Sequence, residues 1–189
     1  TEQLVGHVAR GLGVNHELAY QGARIGLTPP WPRLTVAEAF RRHASLTVED
    51  ALARGRFDDL MGLEVEPRLG LERPLFLHDY PAACGSLARL KPGDPAVAER
   101  FELYIGGLEL CNGCSELTDP AEQRRRFAAE LDLRRRHGRP VHGLPQRFLD
   151  ALASLPPCAG NALGLDRLTM LFCDAAEIGE VVAFAPEDL

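Results

Sequence analysis

The sequence predicts an α+β domain built on an antiparallel sheet. A helical first third gives way to short apolar strands. Strands and later helices then mix without the regular βαβ alternation of a parallel sheet. Between Phe101 and Leu110 a two-residue period of apolar and polar side chains is broken by Gly106-Gly107, the pattern of a half-buried strand running into a bulge or hairpin turn.

Thr35-Val36-Ala37-Glu38 has capping-box spacing, in which a Thr hydroxyl and a Glu carboxylate satisfy orphan amides at a helix start. Ala37, Phe40 and Ala44 then share one helical face. Thr47 caps a second short helix, and Leu60 to Leu69 holds a third. Leu75-Phe76-Leu77 reads as a buried strand and Lys91-Pro92-Gly93-Asp94-Pro95 as a turn or loop. Phe101, Leu103 and Ile105 face one way and Glu102 and Tyr104 the other; Leu108-Glu109-Leu110 resumes as the next strand. Asp119 and Pro120 suit the N-cap and first position of a long helix ending near Gly138. Phe148 to Leu155 is a short helix stopped by Pro156-Pro157, Ala159 to Leu163 a strand, and Leu165 to Phe172 a helix entered through Gly164.

At 189 residues the chain is one domain or most of one, with length enough for a sizeable core. Hydrophobic residues make up 46% and charged residues 25%, an ordinary globular balance. No apolar run approaches the ~20 residues of a membrane span, and Thr1-Glu2-Gln3-Leu4 is no secretory signal. The missing initiator Met suggests a piece of something longer. The net charge of −6 supplies no general drive toward nucleic acid. Five cysteines, an odd number without a signal peptide, suggest reduced thiols and a cytoplasmic location.

Two segments carry chemistry. Glu109-Leu110-Cys111-Asn112-Gly113-Cys114-Ser115-Glu116 holds two carboxylates seven residues apart around an Asn-Gly. Such carboxylates can hold Mg²⁺ against phosphates, or bind an ammonium group; spacing alone favours the plainer reading of a surface hairpin. Gly160-Asn161-Ala162-Leu163-Gly164-Leu165-Asp166-Arg167-Leu168 is a glycine-containing strand running into a helix. Its glycine admits a flat ligand close to the backbone, and Arg167 can clamp phosphate oxygens; alone it equally reads as a βα turn with a surface ion pair.

Together, in this order, the segments resemble class II aminoacyl-tRNA synthetases of the lysine type. Ala98 to Ile105, then Gly107, Glu109, Asn112-Gly113, Ser115-Glu116-Leu117, Asp119-Pro120 and Glu122-Gln123 match almost continuously. Ala162 to Leu168 matches the family's third motif, and Asp79-Tyr80-Pro81 with Ser86-Leu87-Ala88 an upstream segment. The match is strong over about 74 to 184 and weak before. It implies a class II synthetase-type antiparallel sheet flanked by helices, and a chain forming the C-terminal part of a catalytic domain: a mainly helical 1–73, then an ATP- and lysine-binding sheet over 74–189.

The implied reaction is adenylation of a lysine carboxylate with ATP and Mg²⁺, followed by acyl transfer. By resemblance, Glu109 and Glu116 coordinate Mg²⁺, and Glu116 also lies beside the amino-acid pocket. Glu109, Leu110, Gly164 and Arg167 bind ATP. Asn112, Gly113, Glu116 and Ala162 bind the amino acid. Arg167 and Glu116 carry catalysis. Ala162 stands where lysyl-tRNA synthetases usually have Gly and where elongation factor P lysine ligases have Ala. Phe148 to Leu152, Leu155-Pro156, Cys158, Gly160 and the end near Phe184 point the same way. The resemblance thus favours transfer of (R)-β-lysine to elongation factor P, the alternatives being lysine and tRNA-Lys or a non-catalytic paralog. A homodimer is implied for the full-length protein, and no membrane partner.

Three departures accompany the match. Cys111 and Cys114 replace the family's Ala and Phe; as a CxxC they could form a redox or metal pair, but small buried residues beside the pocket is the favoured reading. The first two family motifs, with the dimer-interface helix and the Arg that grips the α-phosphate, lie upstream of everything here, so this part alone is expected to adenylate poorly. Arg124, Arg125, Arg126, Arg134, Arg135, Arg136 and His137 make one helix basic, read as a solvated face pairing with Glu122, Glu130 and Asp132 rather than a docking surface. Trp31 reads as a loop anchor and His78 as structural.

Overall fold

The structure is a computed structural model that describes residues 1–85 and 87–185. Ser86, within the matched Ser86-Leu87-Ala88 segment, lies outside the described residues. The chain opens with α1 (Glu2–Gly11) and a two-stranded hairpin, β1 (Glu17–Tyr20) and β2 (Ala23–Gly26). Next come β3 (Arg33–Thr35), α2 (Val36–His43), α3 (Val48–Ala53) and α4 (Phe57–Leu60), the last continued by a π turn (Met61–Val65) and a 3-10 turn (Glu66–Arg68). Strands β4 (Leu75–Pro81), β5 (Leu90–Lys91), β6 (Asp94–Ile105) and β7 (Leu108–Ser115) follow. The chain then forms α5 (Pro120–Arg136), α6 (Gln146–Leu152), β8 (Ala159–Leu163) and α7 (Leu165–Cys173).

The helices begin and end where local chemistry allows. Thr35 Oγ1 accepts from the Glu38 amide at 3.2 Å while Glu38 Oε2 accepts from the Thr35 amide at 3.1 Å, closing the capping box. Thr47 Oγ1 accepts from the Asp50 amide and starts α3. Asp119 Oδ1 accepts from the Ala121 amide at 2.8 Å, with Pro120 at the first helical position of α5. Gly138, at φ +63°, supplies the left-handed residue just beyond that helix.

The main sheet runs β3-β4-β6-β7-β8, with β5 also paired to β6. All pairings are antiparallel except β3 with β4, which is parallel. The expected antiparallel sheet is thus mixed at its β3 edge. The three-residue β3 returns to the sheet through the helices α2 to α4, the crossover that parallel pairing requires. The first third is also not purely helical. Hairpin β1–β2 was too short to show a period, and its turn puts Gln21 and Gly22 at φ 48° and 76°. The Gln21 amide donates to Asp174 Oδ1 at 2.6 Å, tying this hairpin to the end of α7.

Two cores form on opposite faces of the sheet. Phe76, Leu103, Ile105 and Leu110 pack with α1, the β1–β2 hairpin, Trp31 and Leu168 and Leu171 of α7. Trp31 is 2% exposed and its indole N–H donates to the Leu27 carbonyl, so it anchors the loop before β3. Leu77, Tyr80 and Tyr104 pack with α2, α3 and α4. The helices α2 to α4 thus cover the β4–β6 part of the second face. Leu77 and Tyr80 share a face although three residues apart, because the register slips between His78 and Tyr80, where Asp79 takes φ 59°. Among the described residues no helix is long and apolar enough to cross a membrane.

Thr35→Ala removes one half of the capping box and should cost about 1 kcal/mol of stability, read by urea unfolding. A parent-like midpoint would mean that the box does not hold α2.

Candidate active site

Strand β7 supplies the central side chains, and its alternation decides which of them meet. From Cys111 to Cys114 each residue pairs regularly with β6: Cys111 with Leu103, Asn112 with Glu102, Gly113 with Phe101 and Cys114 with Arg100. Glu109 then pairs with Tyr104, so Leu110 is an extra residue on β7. Without it, Glu109 and Asn112, an odd number of residues apart, would face opposite sides. With it, Glu109 joins Asn112, Cys114 and Glu116 on one face, with Arg100, Glu102 and Tyr104 beside them. Gly160 and Ala162 of β8, paired with Cys114 and Asn112, extend the same face. The displaced Leu110 side chain is 1% exposed in the core.

At the upper end of this face lies a cavity of about 310 Å³. Of the expected site residues, Glu109, Leu110, Asn112, Ala162, Gly164 and Arg167 line it. The Leu110 carbonyl accepts from the Gly164 amide at 2.8 Å. That bond sets the entry into α7. Arg167 Nη1 donates to the Glu109 carbonyl at 2.7 Å and approaches Glu109 Oε2 at 3.4 Å. The rest of the guanidinium fork is left toward the cavity mouth. Basic α5 is partly paired: Arg125 and Arg126 with Glu122, and Arg135 with Asp132.

The remaining site residues divide between the two faces of the sheet. Glu109 is the second residue of β7 and Glu116 follows its last, Ser115. Gly113 does not face the amino-acid side. It backs the opposite face, where an added Cβ would press within 2.7 Å of the Phe101 ring and 2.9 Å of Asn161 Oδ1. Cys111 and Cys114 are no pair, because an odd spacing on a regular stretch of strand sends them to opposite faces. Cys111 is buried in the core; Cys114 stands half-buried on the site face between Asn112 and Glu116. Cys111 nevertheless lines the cavity and Cys114 stands on the site face, so both replacements bear on the pocket wall.

The sequence reading missed Glu102. It sat in the strand's polar register, which fits a solvated residue, yet it is 5% exposed. Its Oε1 accepts from Arg100 Nη2 at 2.6 Å and from Asn112 Nδ2 at 2.9 Å. Its Oε2 accepts from the hydroxyls of Tyr80 and Tyr104. Arg100 Nε donates to Asn112 Oδ1 at 3.2 Å, and its guanidinium lies 4.4 Å over the Tyr80 ring. The Asn112 amide is therefore gripped at both ends, and its rotamer is set before any ligand arrives. Burial first, and the neighbouring negative charge after it, push the Tyr80 hydroxyl far above its usual range, so it stays a donor.

Glu109 and Glu66 hold their protons more tightly than usual. Burial raises Glu109, and the charge of Glu102 adds to it against the pull of Arg167. Burial also raises Glu66, from the 3-10 turn, with Glu102 again adding. The Glu116 side chain has no hydrogen-bond or ion-pair partner among the described residues and presents a free carboxylate beside Cys114 and Gly160.

The chain matches the family model described as tRNA synthetases class II (D, K and N) over residues 1–188. It belongs to that family. Among its relatives are the lysine–tRNA ligases of Moorella thermoacetica, 38% identical over 208 residues, and of a Thermoanaerobacter species, 33% identical over 209. That of Dehalococcoides mccartyi is 36% identical over 206 residues. Each match takes in 97% of this chain but only 41 to 42% of the relative, so the chain spans about two fifths of their length. The class II membership accounts for the antiparallel strands β4 to β8 with flanking helices. The expected narrowing to the elongation factor P branch finds no counterpart among these relatives.

Because Glu66 binds its proton more tightly folded than unfolded, its contribution to stability is complete below the ordinary carboxyl pKa of about 4.3. It fades as pH rises through the higher folded value. Glu66→Gln should therefore be more stable than the parent at pH 7 and gain little at pH 4, read by urea unfolding at both pH values. An equal difference at the two would contradict the carboxyl cluster.

Proposed function

We propose that the chain forms the ATP- and lysine-binding part of a lysine–tRNA ligase. The observation that carries this is the single face on which the Leu110 bulge gathers Glu109, Asn112 and Glu116, with Arg167 at one end. The lysine–tRNA ligase relatives at 33 to 38% identity support the same reading. The whole reaction belongs to the full-length protein.

The two ends of the face have different tasks. Gly164 and the backbone of Leu110 stand at the end that takes the flat base, where both line the cavity. Arg167, held by Glu109, offers its remaining donors to phosphate oxygens. Asn112, pre-set by Glu102 and Arg100, orients the amino acid between the ends. Glu116 takes the other role that its residue type allows: an unpaired carboxylate that accepts the side-chain ammonium of lysine. The carboxylate of lysine then attacks the α-phosphorus, the bond to pyrophosphate breaks, and an aminoacyl adenylate forms. A ribose hydroxyl of the tRNA attacks its carbonyl carbon and AMP leaves.

Magnesium suits Glu109. Burial and the Glu102 charge make the Glu109 carboxylate costly, and a cation beside it relieves that cost. When bound, it neutralises charge on the phosphates as pyrophosphate departs. Glu109→Gln should keep the fold and lower ATP–pyrophosphate exchange by about 100-fold or more; parent-like exchange would remove Glu109 from the phosphate end.

A second reading, a ligase that attaches (R)-β-lysine to elongation factor P, rests on Ala162. Its methyl lies exposed on the site face beside Asn112, where it can exclude one amino-acid shape. The full-length protein should exchange pyrophosphate with α-lysine in preference to (R)-β-lysine and charge tRNA. Preference for (R)-β-lysine, with transfer to elongation factor P and not to tRNA, would establish the second reading instead.

A further inference from the structure

We propose that Gly160 is the seat of the Glu116 carboxylate and so a positioning residue for recognition of the amino-acid ammonium group. The inference rests on the reading of Glu116 given above and adds what holds that side chain in place. Gly160 sits in the middle of β8, paired with Cys114, with ordinary negative φ. Its backbone conformation does not require glycine. The requirement is one of space. A Cβ at this position would overlap Glu116 Oε1 and lie 3.4 Å from its Cδ, with no other atom within 4 Å.

The anchor and the tip of Glu116 are therefore fixed by the same strand. Its amide donates to the Cys158 carbonyl at 2.9 Å, which binds its backbone one step beyond β7. Its side chain then folds back along the sheet face over Gly160, toward Cys114 and the rest of the site. No hydrogen bond orients the carboxylate among the described residues. Contact with the bare α-carbon of Gly160 takes that place, and leaves the oxygens free to accept from a cation.

The geometry separates this role from a purely structural one. The obstructed atom is the far end of a flexible side chain, so alanine can be accommodated by turning Glu116 without moving backbone. Gly113, one strand away, differs: its added Cβ would strike the Phe101 ring in the packed face. Gly160→Ala should leave the fold intact and move the one carboxylate, whereas Gly113→Ala should disturb packing.

The test uses the full-length protein and two readouts. In a crystal structure of Gly160→Ala the Glu116 carboxylate should be displaced by about 1 Å or more. An unchanged Glu116 rotamer would overturn the seat, whatever the substrate. In ATP–pyrophosphate exchange the variant should raise the KM for lysine by about tenfold or more with the KM for ATP unchanged. In a Glu116→Asp background, where the shorter side chain clears Gly160, the same substitution should cost less than about threefold. Equal factors in the two backgrounds, or an equal rise in the KM for ATP, would overturn the positioning role. A displaced Glu116 with unaltered lysine kinetics would keep the seat and refute the ammonium reading of Glu116.

Discussion

Strand β7 carries one residue more than its partner β6 beyond Cys111, and the site depends on where that residue goes. Leu110 goes into the core. Glu109 is thereby turned to the face that already holds Asn112 and Glu116, and the Leu110 carbonyl is placed where the Gly164 amide can reach it. That bond sets the start of α7 and so the position of Arg167, which returns to hold the Glu109 carbonyl. A regular strand would split the acidic residues between the two faces. The bulge costs local pairing, and the burial of a leucine side chain offsets it.

The same face divides into a locked half and an open half. Glu102, Arg100, Tyr80 and Tyr104 form a buried network in which both carboxylate oxygens of Glu102 accept two bonds each. Such a network is expensive to bury and specifies one arrangement once complete. Its output is the fixed Asn112 amide. Beyond it, on the β7–β8 half, Glu116 has no polar partner and rests on Gly160. Rigid positioning in one half and free valence in the other suit a site that must orient an amino acid and still hold its charged end.

Much of this was legible in the residues. The alternation of Phe101, Leu103 and Ile105 with Glu102 and Tyr104 told which side was core, and the caps at Thr35, Thr47 and Asp119 marked helix starts that the structure keeps. The bulge was not legible. Leu108-Glu109-Leu110 alternates like any strand, and the extra residue appears only as a register slip against β6. Glu102 hid for a related reason, since a polar residue in a polar register gives no sign that the facing surface is roofed by helices. Parallel β3 hid because three residues are too few for a period. Gly160 hid because a glycine tolerated for space leaves no turn or positive φ to mark it.

The most direct test is a crystal structure of the full-length protein with ATP, magnesium and lysine. One ligand should lie along the β7–β8 face, its phosphates at Arg167 and its side-chain ammonium within about 3 Å of Glu116, with Glu109 at the phosphate end. A ligand seated on the Phe101 and Gly113 side of the sheet, or an ammonium group far from Glu116, would contradict the account.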